Sequence, residues 1–278
     1  MQFGVSIFFT DYSITPAELA IALEERGFDS VWAAEHSHIP VPRRTRADQE
    51  LGKRYYDVMD PFVTLTAAAC ATKNLKVATG IALVIQRDTI QTAKLVASID
   101  QVSQGRFIFG IGGGWNQEEI ENHGTIFKSR MQKMREQIEA MKAIWTEETP
   151  EYHGEIVKFD TIQTWPKPVQ QPHPPVIVGG AFPHAARRAL RYGDGWIPNA
   201  SRQQYADVTD FLPQFQAMAE EAGRSIPVTV WGVGEDYDRL KRYADQGIAR
   251  VIVSLPPEAA DKTLPTLDRW AALIRRLG

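Results

Sequence analysis

Short apolar runs alternate with longer amphipathic stretches along the whole chain, and glycine or proline punctuates the joins. Residues 2–8 hold Phe3, Val5, Ile7 and Phe8, β-formers that predict a first strand. Residues 16–26 predict a helix, with Thr15 as N-cap, Pro16 in the first turn and Gly27 just past the end. The couplet recurs as strand 29–34 with helix 61–72, strand 76–83 with helix 89–103, and strand 106–112 with a helical region clearest at 130–145. It continues as strand 175–179 with helix 184–192, strand 195–198 with helix 203–222, strand 227–232 with helix 236–246, and strand 250–255 with helix 264–277. Residues 151–168, which carry Gly154, Pro166 and Pro168 between short apolar runs, predict a β-like insertion after strand 4.

Alternation of this kind predicts a parallel sheet covered by helices. The unbroken run Val251, Ile252, Val253 is what a strand buried on both faces requires. Eight couplets favour a closed α/β fold, the (β/α)₈ TIM barrel, over an open doubly wound sheet. Such barrels run to about 250 residues as one unit, so the 278 residues are expected to form a single domain over 1–278.

Composition narrows the functional classes. Hydrophobic residues make up 44%, enough for a sizeable core, and the formal net charge is −3, without the basic surplus of a nucleic-acid binder. The first residues enter a strand pattern directly and show no basic segment followed by an apolar one. No apolar run approaches the roughly 18 residues of a membrane span. A cytoplasmic protein with no membrane and no nucleic-acid partner is therefore expected. The one cysteine, Cys70, lies in an Ala-rich apolar stretch and is expected to be a buried structural thiol. The histidines lack the spacing of a helical metal site and no cysteine cluster exists, so no metal is expected; no G-x-S-x-G elbow supports a serine hydrolase.

A barrel puts its chemistry at the C-terminal ends of its strands, which turns the strand count into residues. Glu35 and His36 follow the second strand, and a carboxylate beside an imidazole suits proton transfer near neutral pH; a surface pair at a strand end is the plainer reading. Gly112, Gly113 and Gly114 follow the fourth strand and Gly179 and Gly180 the fifth, leaving backbone N–H groups free to approach a phosphate or a flat ring, or simply making tight turns. Trp115 either walls a pocket or caps the barrel. The long segment 40–57 holds Arg43, Arg44, Arg46, Lys53 and Arg54 beside Asp48 and Glu50. That run reads as a solvated charged loop, with contact to an acidic ligand tail as the alternative.

Four of these stretches carry a resemblance. Residues 27–36 (Gly-Phe-Asp-Ser-Val-Trp-Ala-Ala-Glu-His), residues 94–115 through Gly-Ile-Gly-Gly-Gly-Trp, residues 166–168 with 174–180, and residues 193–198 resemble the luciferase-like monooxygenase superfamily, most closely its branch that uses coenzyme F420. The resemblance implies that Glu35 contacts a deazaflavin, that His36 donates or relays a proton near the redox carbon, and that Gly80 and Ile81 form a non-proline cis peptide behind the ring. It also implies that Gly112, Gly113 and Gly114 line the cofactor and that Gly179 and Gly180 sit near its phosphate. Related sugar-phosphate dehydrogenases place a catalytic Glu where this chain has Trp115, which argues against sugar-phosphate oxidation. The implied activity is F420-dependent hydride transfer to or from a small organic substrate by a homodimer. An FMN-dependent monooxygenase using dioxygen and a non-catalytic flavin-binding barrel are the alternatives.

Overall fold

The computed structural model describes residues 1–43, 50–200 and 207–277. Its elements run β1 (Gln2–Ile7), α1 (Pro16–Glu25), β2 (Ser30–Ala33), α2 (Pro61–Ala71), β3 (Lys76–Thr79), α3 (Thr89–Val102), β4 (Phe107–Ile111), α4 (Gln117–Asn122) and α5 (Arg130–Thr146). They continue as β5 (Val176–Gly179), α6 (His184–Tyr192), β6 (Gly195–Ile197), α7 (Val208–Glu221), β7 (Thr229–Val233), α8 (Tyr237–Asp245), β8 (Arg250–Ser254) and α9 (Ala260–Leu277). The strands pair in parallel in the order β6-β5-β4-β3-β2-β1-β8-β7. The seam between β6 and β7 is drawn together by bridges at Trp196–Val228 and Asn199–Trp231. There the Trp231 N–H donates to the Pro198 carbonyl at 2.9 Å. The result is a nearly closed (β/α)₈ barrel.

Alternation along each strand sorts the core into two layers. Val31 and Ala33 of β2 face the helices, in the large cluster with Val5, Val77, Phe107 and Phe109. Trp32 faces inward, packed with Ala78, Ile108, Ile177, Ile197, Ile252 and Trp231. The two indoles meet edge to face at 6.2 Å. Room for them comes from Gly4, where an added Cβ would stand 2.7 Å from Ile252 Cδ1 and 2.8 Å from Trp32 Nε1.

Local signals account for the helix starts. Thr15 accepts from the Glu18 N–H while Glu18 reaches back to Thr15, a complete capping box ahead of Pro16. Asp60 caps α2 by accepting from the N–H groups of Phe62 and Val63.

Several expectations need correction. Cys70 is exposed: α2 buries Phe62, Leu65, Ala68 and Ala69, and Cys70 falls on the opposite face with Val63, a face the uniform Ala-rich sequence concealed. Strand β3 ends at Thr79, because the chain leaves the ladder at Gly80–Ile81. The helical region after β4 divides into α4 and α5. Helix α9 begins at Ala260, so Pro265 lies inside it. Within residues 151–168 the regular structure is one short antiparallel ladder, Tyr152–His153 with Lys158–Phe159. Arg44, Arg46, Asp48 and the predicted helix start at residues 203–206 lie outside the described residues.

Candidate active site

Both polar residues that follow β2 are held by groups from other strand ends. Glu35 is buried; its Oε2 accepts from the Leu83 N–H at 2.5 Å and its Oε1 from Arg87 Nε at 2.6 Å. Arg87 also donates to Asp60 Oδ2 at 2.5 Å, which joins the pair to the start of α2. Burial pushes the Glu35 carboxyl above its ordinary range, against the pull of the Arg87 guanidinium and the Leu83 N–H. Glu35 thus ties the end of β2 to the loop that follows β3.

His36 turns the other way. Its Nδ1 lies 2.8 Å from Oε2 of Glu119, whose side chain is 1% exposed against 8% for the imidazole. The other oxygen of Glu119 accepts from the Ser37 N–H at 3.1 Å. Glu119 comes from α4, which the chain reaches directly after Gly112–Gly114, Trp115 and Asn116. Two aromatic rings stand edge-on to His36, Tyr55 at 5.4 Å and Trp115 at 5.7 Å. Just outside, the Ser37 hydroxyl bridges His38 Nδ1 at 2.9 Å and His123 Nε2 at 2.7 Å, and Asn122 Nδ2 contacts His38 Nε2 at 2.8 Å.

Two of the predicted glycines, Gly112 and Gly179, meet at one side chain, that of Ile81. The Gly80–Ile81 peptide is cis, and the β3–β4 ladder resumes only past it, where the Ala82 N–H donates to the Gly110 carbonyl at 2.8 Å. Ile81 fills the hollow left by two glycines: its side-chain carbons would stand 1.8 Å from a Cβ on Gly112 and 3.4 Å from one on Gly179. Gly80 is backed by Trp231, 2.5 Å from where its Cβ would be. Gly114 and Gly180 have φ of 64° and 129°, backbone that L side chains rarely adopt.

Beyond these glycines lie two arginines that sequence reading missed. Arg130 Nε donates to the Gly113 carbonyl at 3.0 Å. Arg188 Nη2 comes within 3.7 Å of where a Gly180 Cβ would be, and its Nε is buried without a partner. Among the described residues neither guanidinium forms an ion pair. Burial and the charge of Arg188 hold Arg130 below its ordinary value. Two cations beside two glycines, one with an orphaned donor, fit a phosphate, the group that deazaflavin and flavin nucleotide cofactors share.

Among the described residues no three His, Cys, Asp or Glu side chains form a metal cluster, and no helix is long and apolar enough to cross a membrane. A cavity of about 570 Å³ between α7, the start of β7 and the end of α8 opens at the N-terminal strand ends, away from His36. Barrels keep their chemistry at the other end.

Glu119 is the other residue missed. Its signal was the pair Glu118-Glu119 shortly after the glycine run, but nothing local indicates that it folds back onto residues 36 and 37.

The arrangement is that of a (β/α)₈ barrel with a carboxylate-held histidine, a cis peptide after β3 and two arginines beside the glycines after β4 and β5. Comparison makes the class specific. A profile of the luciferase-like monooxygenase family matches residues 1–266, and the chain belongs to that family. An uncharacterized protein of Mycobacterium tuberculosis is 38% identical over 284 residues, covering 98% of both chains. The F420-dependent hydroxymycolic acid dehydrogenase of the same organism is 29% identical, covering 80% of this chain and 57% of its own. The FMNH2-dependent dimethylsulfone monooxygenase of Pseudomonas putida is 30% identical, covering 70% and 53%. Among solved structures, monooxygenase RslO1 from Streptomyces bottropensis superposes with a TM-score of 0.81 at 20% identity over 99% of both chains. An F420-dependent secondary alcohol dehydrogenase does so at 0.76 and 19% identity, covering 100% of this chain and 99% of its own. At those identities the structures establish the fold alone.

Proposed function

We propose that this protein is an F420-dependent oxidoreductase acting on a small organic substrate at the C-terminal mouth of the barrel. The observation that carries the reading is His36, fixed through Nδ1 to the buried Glu119 at the end of β2. When bound, the deazaflavin supplies the hydride exchange. The chain manages the accompanying proton: Nε2 of His36 is the imidazole nitrogen left over, and it gives or takes that proton on the substrate. Gly112, Gly113 and Gly114 line the cofactor, Gly179 and Gly180 approach its phosphate with Arg130 and Arg188, and Ile81 backs the ring. Glu35 supports this wall by holding Leu83 and Arg87. Its contribution to cofactor affinity comes through that loop.

The second reading is an FMN-dependent monooxygenase, favoured by the 30% identity to the Pseudomonas putida enzyme over 70% of this chain. Titrating the purified chain with F420 and with FMN side by side, followed by fluorescence, separates the two. Tight FMN binding with none for F420 would replace the first reading by the second. The protein is further proposed to act as a homodimer, as the family resemblance implies.

A further inference from the structure

We infer that Glu119 is the positioning residue for His36, and that it acts by fixing which ring nitrogen carries the proton. The inference rests on the reading of His36 as the proton-exchanging group.

A carboxylate is an acceptor only, so the nitrogen it meets must carry hydrogen. Glu119 Oε2 meets Nδ1 at 2.8 Å and therefore holds the proton there, leaving Nε2 as the nitrogen that can exchange one. An unconstrained histidine side chain favours Nε2–H, so the Nδ1–H form must be imposed. The imposing group is suited to the task. Glu119 is fully buried, its Oε1 is occupied by the Ser37 N–H at 3.1 Å, and Asn116 Nδ2 approaches Oε2 at 3.4 Å. One carboxylate thereby grips the backbone of residue 37 and the ring of residue 36, fixing both the position of the imidazole and its rotation. A neutral His36 so held presents a lone pair at Nε2 and accepts a proton. A protonated one presents an N–H there and donates, with no ring flip between the two states. The same group therefore serves either direction of a hydride exchange, which a histidine with a free choice of tautomer does not.

Nitrogen-15 NMR of the full-length chain, reading the His36 ring nitrogens, tests this without substrate or cofactor. In the neutral and in the protonated ring alike Nδ1 is expected to carry a proton, with the Nδ1–H form exceeding Nε2–H by at least about tenfold in the neutral ring. Glu119→Ala is expected to lose that bias. Glu119→Gln has a single acceptor oxygen for the two donors, the Ser37 N–H and Nδ1–H, so it too is expected to lose the bias while keeping the size of the side chain, which guards against misfolding of the Ala variant. An unprotonated Nδ1 in the native chain, or an unchanged tautomer ratio in a folded Glu119→Ala, overturns the proposal. Normal turnover in His36→Ala overturns the underlying reading instead, because the tautomer measurement involves no turnover.

Discussion

Arg87 donates to Glu35 at 2.6 Å and to Asp60 at 2.5 Å, so one guanidinium joins the end of β2, the loop after β3 and the cap of α2. Removing it strands a carboxylate that is 8% exposed. Losing one partner of a buried ion pair costs about 3–5 kcal/mol, more than the pair itself contributes. Arg87→Ala is expected to lose that much in urea unfolding, while Glu35→Gln, which leaves no buried anion, loses less. Equal losses would mean that the pair acts through packing alone.

Two glycines on β4 and just beyond it are expected to respond very differently to alanine. At Gly110 an added Cβ meets the Thr79 carbonyl oxygen at 2.1 Å, and backbone cannot yield there. Gly110→Ala is expected to cost more than about 3 kcal/mol or to prevent folding. At Gly112 the obstacle is the terminal methyl of Ile81, which can rotate away. Gly112→Ala is expected to fold, to cost about 1 kcal/mol, and to be relieved by Ile81→Val in a non-additive pair. Thermal unfolding of the native protein, the three single variants and the double variant checks both statements.

How much of this was legible in the sequence depended on how local the cause was. Helix α6, His184–Tyr192, sits where its periodicity put it, and α1 starts at a capping box written in four consecutive residues. The position of His36 just past β2 was readable because a strand end and a polar pair are neighbours in the chain. Glu119 was not, since its partner lies 83 positions away and only the pairing of β2, β3 and β4 side by side brings α4 to the end of β2. Arg130 and Arg188 likewise read as ordinary surface cations until β4 and β5 lie side by side. Cys70 failed for the opposite reason: its surroundings are so uniformly apolar that the sequence carries no sign of which face of α2 is buried.

His173 gives the stability a pH dependence of definite sign. Burial holds its imidazole below the ordinary histidine value and the charge of Lys142 adds to this, while the Pro174 carbonyl and Asp194 pull the other way. The unfolded chain binds a proton near pH 6.5, and the folded chain binds one only at lower pH. Stability is therefore fully present above about pH 6.5 and is lost as the pH falls from there toward the folded value. His173→Gln is expected to flatten the urea midpoint between about pH 7 and pH 5. An unchanged slope would assign the acid sensitivity elsewhere, with His123, lowered first by burial and then by His38, as the next candidate.

Arg188 is expected to trade stability for binding. Its nearby charge is one cause of the lowered Arg130 value, and its Nε is buried without a partner. Arg188→Met is therefore expected to leave the free protein as stable or more so, while weakening a phosphorylated cofactor by about 10–100-fold through loss of charge-assisted bonds. Riboflavin, which lacks the phosphate, is the control for FMN. If the variant weakens riboflavin and FMN equally, the arginine pair is not the phosphate site.

His36 carries the central functional expectation. Loss of a general acid or base typically lowers turnover by about 10²–10⁴-fold. In His36→Ala the ring is gone but Glu35 still holds the Leu83 N–H and Arg87, so the wall behind the cofactor is left standing. Cofactor affinity is therefore expected to change little while single-turnover chemistry falls by that factor. Glu35→Ala is expected to invert the pattern, because it releases Leu83 and leaves Arg87 with Asp60 alone: affinity drops first, and the rate of what remains bound drops less. The two variants are measured by cofactor titration and by single turnover on a substrate the native protein converts. A His36→Ala that loses affinity as severely as Glu35→Ala would place His36 in the cofactor wall, and the proton would then have to come from another group at the barrel mouth.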